Sequence, residues 1–339
     1  MMAPDSARVA AFLLRVIVDQ DTVPDSRTPD WNELLGVAQS NGVLISAMAR
    51  LEQLGVEPPA FVGEAVARER QRASTIRELM RKVDATLTAH RVAHVFLTRL
   101  DRHPDAGRDI DLLLLDCAPA AAAALLDGLR ATPLPRYVAD RIAGATRYQI
   151  AGCELDLHHG RLGAVGEDAA CARSLVRRAR RRRVDDVEFF APSPEDFMVL
   201  QGMRRVYARR GIRLADLVST IRAVRRDGLD WDEVVATADR WGVLAGLRCY
   251  LGYVEQIHRA VFTAPLLPKA LARAFPAEGW GHVAFRNGSY RFPTLRVGGW
   301  LYLRKLGVKL ASGSWDAAGR ICLIPVLGAA AGMRRMGRP

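Results

Sequence analysis

The sequence predicts an α+β protein in which a small mixed-sheet core is flanked by helical N-terminal and C-terminal subdomains. Three observations predict it. Apolar residues recur at helical spacing before about residue 90 and again after about residue 190. Between those limits the period shortens to that of strands. A capped helix–turn pattern also stands on each side of the middle segment: Asp30-Trp31-x-Glu33-x-x-x-x-Ala38-x-x-x-Gly42-Val43-Leu44 recurs as Asp230-Trp231-x-Glu233-x-x-x-x-Ala238-x-x-x-Gly242-Val243-Leu244. Two copies are too few for a solenoid, so the pattern reads as the same cap and stop chemistry used twice.

The elements follow in order. Asp30 with Glu33 caps an apolar stripe at Trp31, Leu34, Leu35 and Ala38, and Gly42 stops it. Ala65 to His90 is a longer helical pattern. Val95-Phe96-Leu97 is a short β-prone run, and Asp109 to Leu115 is an apolar strand that opens on two acids. Pro119 to Arg130 is helical, with proline at the start where its missing N–H costs nothing. Thr146–Ile150 and Glu154–His158 are two strands joined by a turn at Gly152. Cys171 to Arg183 reads as a basic helix, and Val187 to Phe190 as a last strand. Ser193-Pro194-Glu195-Asp196 caps a helix running towards Tyr207. Further helices fit 213–226, 231–241 and 247–261. The organisation expected is a helical subdomain over 1–90, an α/β core over 91–190, a helical subdomain over 191–278 and a basic, aromatic segment over 279–339.

Composition excludes several classes. Half of the 339 residues are hydrophobic and a quarter are charged, which rules out wholesale disorder. No run reaches the roughly 18 apolar residues of a spanning helix. The first residues lack the pattern of a secretory leader. Cys117, Cys153, Cys171, Cys249 and Cys322 are scattered without C-x-x-C spacing, so neither a disulfide framework nor a zinc ribbon is expected, and a cytoplasmic location is. The net charge of +12 is uneven. From Trp280 onward ten basic residues stand against the single acid Asp316, a net +9. Seven aromatic residues accompany them, among them Trp300, Tyr302 and Trp315. The expectation is that residues 280–339 form a semi-independent segment that docks on an anionic surface, the inner membrane face being the first candidate.

The chemistry-bearing residues lie in the middle. Asp109 and Asp111 are two apart, so on a strand both carboxylates share a face, about 7 Å apart in Cα terms. Such a pair is costly unless a cation sits between the two groups. Hard oxygen ligands suit Mg²⁺, with Mn²⁺ as a substitute. Two such ions can clamp the attacking and leaving oxygens of a phosphoryl displacement. Glu154, Asp156 and His158 alternate, so they share a face too, and Asp156 is the natural third carboxylate. His158-His159 does not read as a zinc site, because the two residues face opposite ways. Asp101, His103 and Asp105 read as solvated loop residues. Seven arginines between Arg173 and Arg183 offer phosphate contacts, and RNA is a second candidate partner for them. No G-x-G-x-x-G, Walker loop, G-x-S-x-G or H-E-x-x-H is present.

Taken together, Arg108-Asp109-Ile110-Asp111-Leu112, the hairpin with Glu154-Leu155-Asp156-Leu157-His158-His159, and the helical motifs Arg213-Leu214-Ala215-Asp216-Leu217 and Leu229-Asp230-Trp231 resemble the uncharacterised nucleotidyltransferase family of the DNA polymerase β-like superfamily, over about residues 25 to 260. The resemblance implies a nucleotidyltransferase core, an NTP such as ATP as substrate, Mg²⁺, and Asp109, Asp111 and Asp156 as metal ligands. It implies Thr98, Arg99, Arg108 and His158 on the nucleotide side. The family's small-residue motif after the first strand is replaced here by Leu97-Thr98-Arg99-Leu100, in which Thr98 would supply a hydroxyl and Arg99 a phosphate clamp. The function expected is transfer of a nucleoside monophosphate to a hydroxyl or phosphate of an acceptor. An RNA acceptor is one alternative, and a catalytically silent binding protein that keeps the fold is another.

Overall fold

The computed structural model describes residues 5–19, 30–98, 104–107, 109–209, 211–225, 228–275, 280–325 and 327. Arg99, Asp101, His103 and Arg108 lie outside the described residues.

The helical start consists of α1 (Asp5–Val18), α2 (Trp31–Asn41), α3 (Leu44–Gln53) and the long α4 (Ala60–Ala89). The Asp30 carboxylate accepts the N–H groups of Asn32 and Glu33 at 2.9 and 3.0 Å. Gly42 closes α2 in the left-handed region, at φ 65°.

The middle segment builds β1 (His94–Phe96), β2 (Asp109–Leu114), α5 (Pro119–Asp127), β3 (Thr132–Pro133), α6 (Val138–Ala143), β4 (Ala145–Ile150) and β5 (Cys153–His159). The sheet order is β1-β2-β5-β4-β3. Only β2 and β5 pair in parallel, and their register sets Asp111 opposite Asp156. The β4–β5 hairpin turns on Ala151 and Gly152, both at positive φ, as a tight two-residue connection demands. Asp105 is buried rather than solvated: its carboxylate accepts the N–H of Ile45 and the N–H and hydroxyl of Ser46. It thereby caps the start of α3 and ties the β1–β2 loop to it.

After the sheet come α7 (Ala169–Arg178), β6 (Arg180–Val184), β7 (Val187–Ala191) and α8 (Pro194–Met203), then a π-helical turn over Arg204–Arg209 and β8 (Gly211–Ile212). The expected basic helix from Cys171 to Arg183 ends at Arg178, and Arg180 to Arg183 form a strand. A continued helix would stack like charges at i, i+4. The strand sends alternate arginines to opposite faces, and it pairs with β7 as a separate two-stranded ribbon. Arg181 then bonds Asp84 at 2.8 Å and lies over the Phe190 ring.

The chain continues through α9 (Leu214–Arg225), α10 (Trp231–Arg240), α11 (Leu244–Phe262), α12 (Lys269–Ala274), β9 (Ala284–Arg286) and β10 (Ser289–Arg291). A second π turn over Thr294–Gly298 leads into α13 (Gly299–Ala311) and α14 (Trp315–Cys322). The recurring cap works as it does at α2. Asp230 accepts the N–H of Glu233, and Gly242 stands at φ 72°.

Two cores result. One lies under the sheet, where Ile110, Leu112, Leu155 and Leu157 pack with Ile76, Met80 and Val83 of α4. The other joins α1 to α3 with α8, α9 and α11, so helices from the two ends of the chain share one interior. Buried Asn41 stitches it: its side chain donates to the Val37 and Gly288 carbonyls and accepts the N–H of Leu214. No described helix is long and apolar enough to cross a membrane.

The segment from Trp280 is built into this body and is not semi-independent. Tyr290 pairs with Ile212 across β10 and β8. Tyr253 stacks on Phe292 and donates to the Trp280 carbonyl at 2.6 Å. Most tellingly, Lys305 is only 3% exposed, with its Nζ 2.9 Å from Glu167 and 2.7 Å from Asp168. Lys309 donates to the Trp241 carbonyl at 2.9 Å and stands 3.4 Å from Asp168. Two of the expected free cations are therefore internal counter-charges, while Trp300, Leu303 and Trp315 remain exposed. Removing one partner of a buried ion pair strands the other. Lys305→Met should therefore cost about 3–5 kcal/mol in urea unfolding, and Lys309→Met clearly less. Equal, small losses would contradict a seated α13.

Candidate active site

The register of β2 on β5 builds the site. Parallel pairing sets Asp109 opposite Glu154 and Asp111 opposite Asp156. Opposed residues of paired strands point to the same side, so the acids share one face while Ile110, Leu112, Leu155 and Leu157 fill the core on the other. Asp109, Asp111 and Asp156 each bring one carboxylate oxygen into a group lying within 4.8 Å of one another.

Their environments differ. Asp111 is buried, and burial alone would push its carboxyl up. The Arg204 guanidinium, 2.5 Å away, and the His158 imidazole, at 3.5 Å, overcome that and hold it well below the usual carboxylate range. Asp156 has only the weaker pull of His158. Burial, then the charges of Asp111 and Glu154, push its carboxyl up to about 7. Its Oδ1 is buried and has no hydrogen-bond partner among the described residues. An orphaned oxygen beside two further carboxylates is what a hard divalent cation satisfies, so the donor set fits Mg²⁺ or Mn²⁺.

Above the acids lies a cleft of about 190 Å³. Asp111, Asp156 and His158 form its sheet side, and Gly163, Ala164 and Glu167 of the loop after β5 form one wall. Met203, Arg204 and Tyr207, where α8 passes into its π turn, form another, and Lys305 of α13 completes it. Widened turns of this kind are frequent at functional sites. Gly163, at φ 97°, lies so close to the Glu167 carboxylate that a Cβ would collide with it.

The expected nucleotide-side residues divide. His158 lines the cleft. Thr98 does not: its hydroxyl accepts the Asp111 N–H at 2.5 Å and so is used to extend the edge of β2. Arg99 and Arg108 lie outside the described residues. His159 faces away from His158, with Nε2 2.9 Å from the Thr146 hydroxyl and Nδ1 3.1 Å from the Cys117 carbonyl, which is a structural role. Sequence reasoning missed Arg204, Tyr207, Lys305 and the loop Gly160-x-x-Gly163-x-x-Gly166. The loop had a legible signal, three glycines at equal spacing directly after the acidic strand. Arg204 and Lys305 had none, because their partners are about 90 to 140 residues away in the chain.

The raised carboxyl has a measurable consequence. A group whose folded pKa exceeds its unfolded value lowers stability as pH rises between the two, here from about 4 to about 7. In EDTA, Asp156→Asn should therefore melt above the wild type at pH 8, with the gap closing towards pH 4. The scale is about 2–4 °C per kcal/mol. A variant that melts lower at pH 8 would contradict an unpartnered acid.

No curated protein sequence matches the chain. Among solved structures, the antibiotic-resistance factor ANT(2″)-Ia is similar at 13% identity and a TM-score of 0.37, over 56% of this chain and 99% of its own. An antigenic nucleotidyltransferase-like protein from Paracoccidioides brasiliensis is similar at 14% identity and a TM-score of 0.38, over 58% and 96%. A tRNA-processing enzyme aligns at 14% identity and a TM-score of 0.29, over 72% of this chain and 65% of its own. At these scores the likenesses are weak. The sequence profile described as "Uncharacterised nucleotidyltransferase" matches residues 27–258, a span that includes every acid of the site, and the chain belongs to that nucleotidyltransferase family.

Proposed function

We propose that the protein transfers a nucleoside monophosphate from an NTP to a hydroxyl or phosphate of an acceptor, with release of pyrophosphate. The observation that supports this most is the convergence of Asp109, Asp111 and Asp156 in one group, two of them lining the cleft, with an Asp156 oxygen unpartnered. Asp109, Asp111 and Asp156 would hold Mg²⁺, which when bound supplies charge stabilisation to the transferring phosphoryl group.

The chain's own residues do the rest. Asp156 lines the cleft, where its carboxylate takes the proton of an acceptor hydroxyl. The acceptor oxygen bonds to the α-phosphorus as the bond to the pyrophosphate oxygen breaks, and Asp156 returns the proton to solvent. His158 and Arg204 hold the Asp111 carboxylate from its two oxygens. Arg204 also brings a guanidinium into the cleft, where a phosphate chain can meet it. Lys305 is committed to Glu167 and Asp168, so it shapes the wall rather than gripping a ligand.

Two outcomes follow. Incubated with Mg²⁺ and labelled NTPs, Asp109→Asn and Asp111→Asn should each lower nucleotide transfer by more than about 100-fold, since even outer-shell changes at metal sites cost 10- to 100-fold. Undiminished transfer, or no NTP binding by the wild type, sinks the reading. Arg204→Gln leaves Asp111 buried without its main counter-charge, at a cost of about 3–5 kcal/mol. Mn²⁺ should then raise the Tm of Arg204→Gln more than that of the wild type, because the ion replaces the missing cation. Equal Mn²⁺ shifts would show that Arg204 and the metal do not share Asp111.

A further inference from the structure

A second cavity, outside the acidic cleft, lies between the β6–β7 ribbon and the helices α8 and α9. Its volume is about 360 Å³, roughly twice that of the cleft. This falls within the ~300–1,000 Å³ typical of small-molecule sites and is far larger than a bare phosphate requires. Four arginines line it: Arg180, Arg181 and Arg182 from the ribbon and Arg222 from α9. No acidic side chain among the described residues does. Among the acids adjoining the lining residues in the chain are Glu195 and Asp196. Neither lines the cavity, and the buried Asp196 carboxylate faces Arg178 at 3.3 Å.

The arginines are not equivalent. Strand alternation turns Arg181 to the face where it bonds Asp84 and covers Phe190. Arg180 and Arg182 share the opposite face, are exposed, and have no ion pair among the described residues. Concentrated like charge without a counter-ion is stabilised by a bound anion, and guanidinium suits phosphate because it binds two oxygens at once. The floor is of another kind. Phe197 and Leu229 add an aromatic ring and an aliphatic side chain to the lining. Ser193 and Ser219 add hydroxyls at the wall, and Ser193 also accepts the Asp196 N–H that caps α8.

We propose that this cavity is a second binding site, for a small phosphate monoester that carries a flat apolar or heterocyclic body. The phosphate lies between Arg180 and Arg182, and the body rests on Phe197 and Leu229. The site binds rather than reacts, since no carboxylate, thiol or imidazole among the described residues lines it. It does not depend on the acidic cleft, although α8 joins the two. Phe197 lines the cavity and Arg204 lines the cleft, seven residues or about 10 Å further along the helix.

The test is calorimetric titration of the full chain with AMP as probe, in metal-free buffer, where the acidic cleft repels phosphate. Arg180→Ser/Arg182→Ser should weaken AMP binding at least about tenfold, the loss expected for one charge-assisted hydrogen bond. Arg173→Ser/Arg177→Ser removes the same charge from exposed positions outside the cavity and should change it less than about twofold. Ala223→Phe fills the cavity without altering charge and should also abolish binding. Adenosine and ribose 5-phosphate should each bind at least about tenfold more weakly than AMP, because each lacks one half of the recognition. All of the exchanged arginines are exposed, so unchanged melting temperatures will confirm that the folds are intact. The proposal is overturned if AMP does not bind at millimolar concentration, or if the Arg173/Arg177 variant loses as much as the Arg180/Arg182 variant. It is equally overturned if inorganic phosphate binds as well as AMP, since the apolar floor would then play no part.

Discussion

The parallel pairing of β2 with β5, with Asp111 opposite Asp156, is the constraint on which the rest of the molecule depends. It forces carboxylates together. At the 4.8 Å that bounds their oxygens, one like-charge pair costs about 3–4 kcal/mol at an effective dielectric of about 20. The register holds because the same pairing buries Ile110, Leu112, Leu155 and Leu157 completely on the other face. Burying each such side chain is worth about 1.5–3 kcal/mol. A slip of one residue would exchange the faces, sending acids into the core and leucines into the cleft. Hydrophobic packing beneath the sheet thus imposes the electrostatic strain above it.

The remaining walls of the cleft relieve that strain only in part. Arg204 comes from the first residue of a π turn and meets Asp111, while Asp156 is left to shift its own carboxyl upward. Lys305 arrives from α13, beyond the span matched by the family profile, yet it reaches the same cleft by neutralising Glu167 and Asp168. The acids therefore lie in the part of the chain shared with the family, and one wall lies outside it. The common core built from both chain ends makes this possible, because it fixes α8 and α13 against the loop after β5.

Legibility in the sequence followed the range of the interaction concerned. The strand acids could be read because period two is a local property, and the caps at Asp30 and Asp230 because a cap needs only its own first turn. The Arg180–Arg183 strand could not be read as one. Arginine favours helix, and the features that decide otherwise are the partner strand β7 and the distant Asp84. Asp105 read as a solvated loop residue because its partners, Ile45 and Ser46, lie 60 positions earlier. Lys305 and Lys309 counted as surface charge for the same reason, since nothing near them in the chain foretells Glu167, Asp168 or the Trp241 carbonyl.

The pattern of satisfied and unsatisfied groups also bears on the alternative of a silent cleft. A chain that only kept the fold would gain by a neutral side chain at position 156, because a half-buried carboxylate whose Oδ1 is buried and unpartnered beside two other acids costs stability. Asp105, by contrast, is a more deeply buried acid, yet it has three donors around it. On the proposed reading, the deficit at half-buried Asp156 is answered by a ligand rather than by the protein. The charge that ligand must bring is positive, since among the described residues of the cleft Arg204 is spent on Asp111 and Lys305 on Glu167 and Asp168.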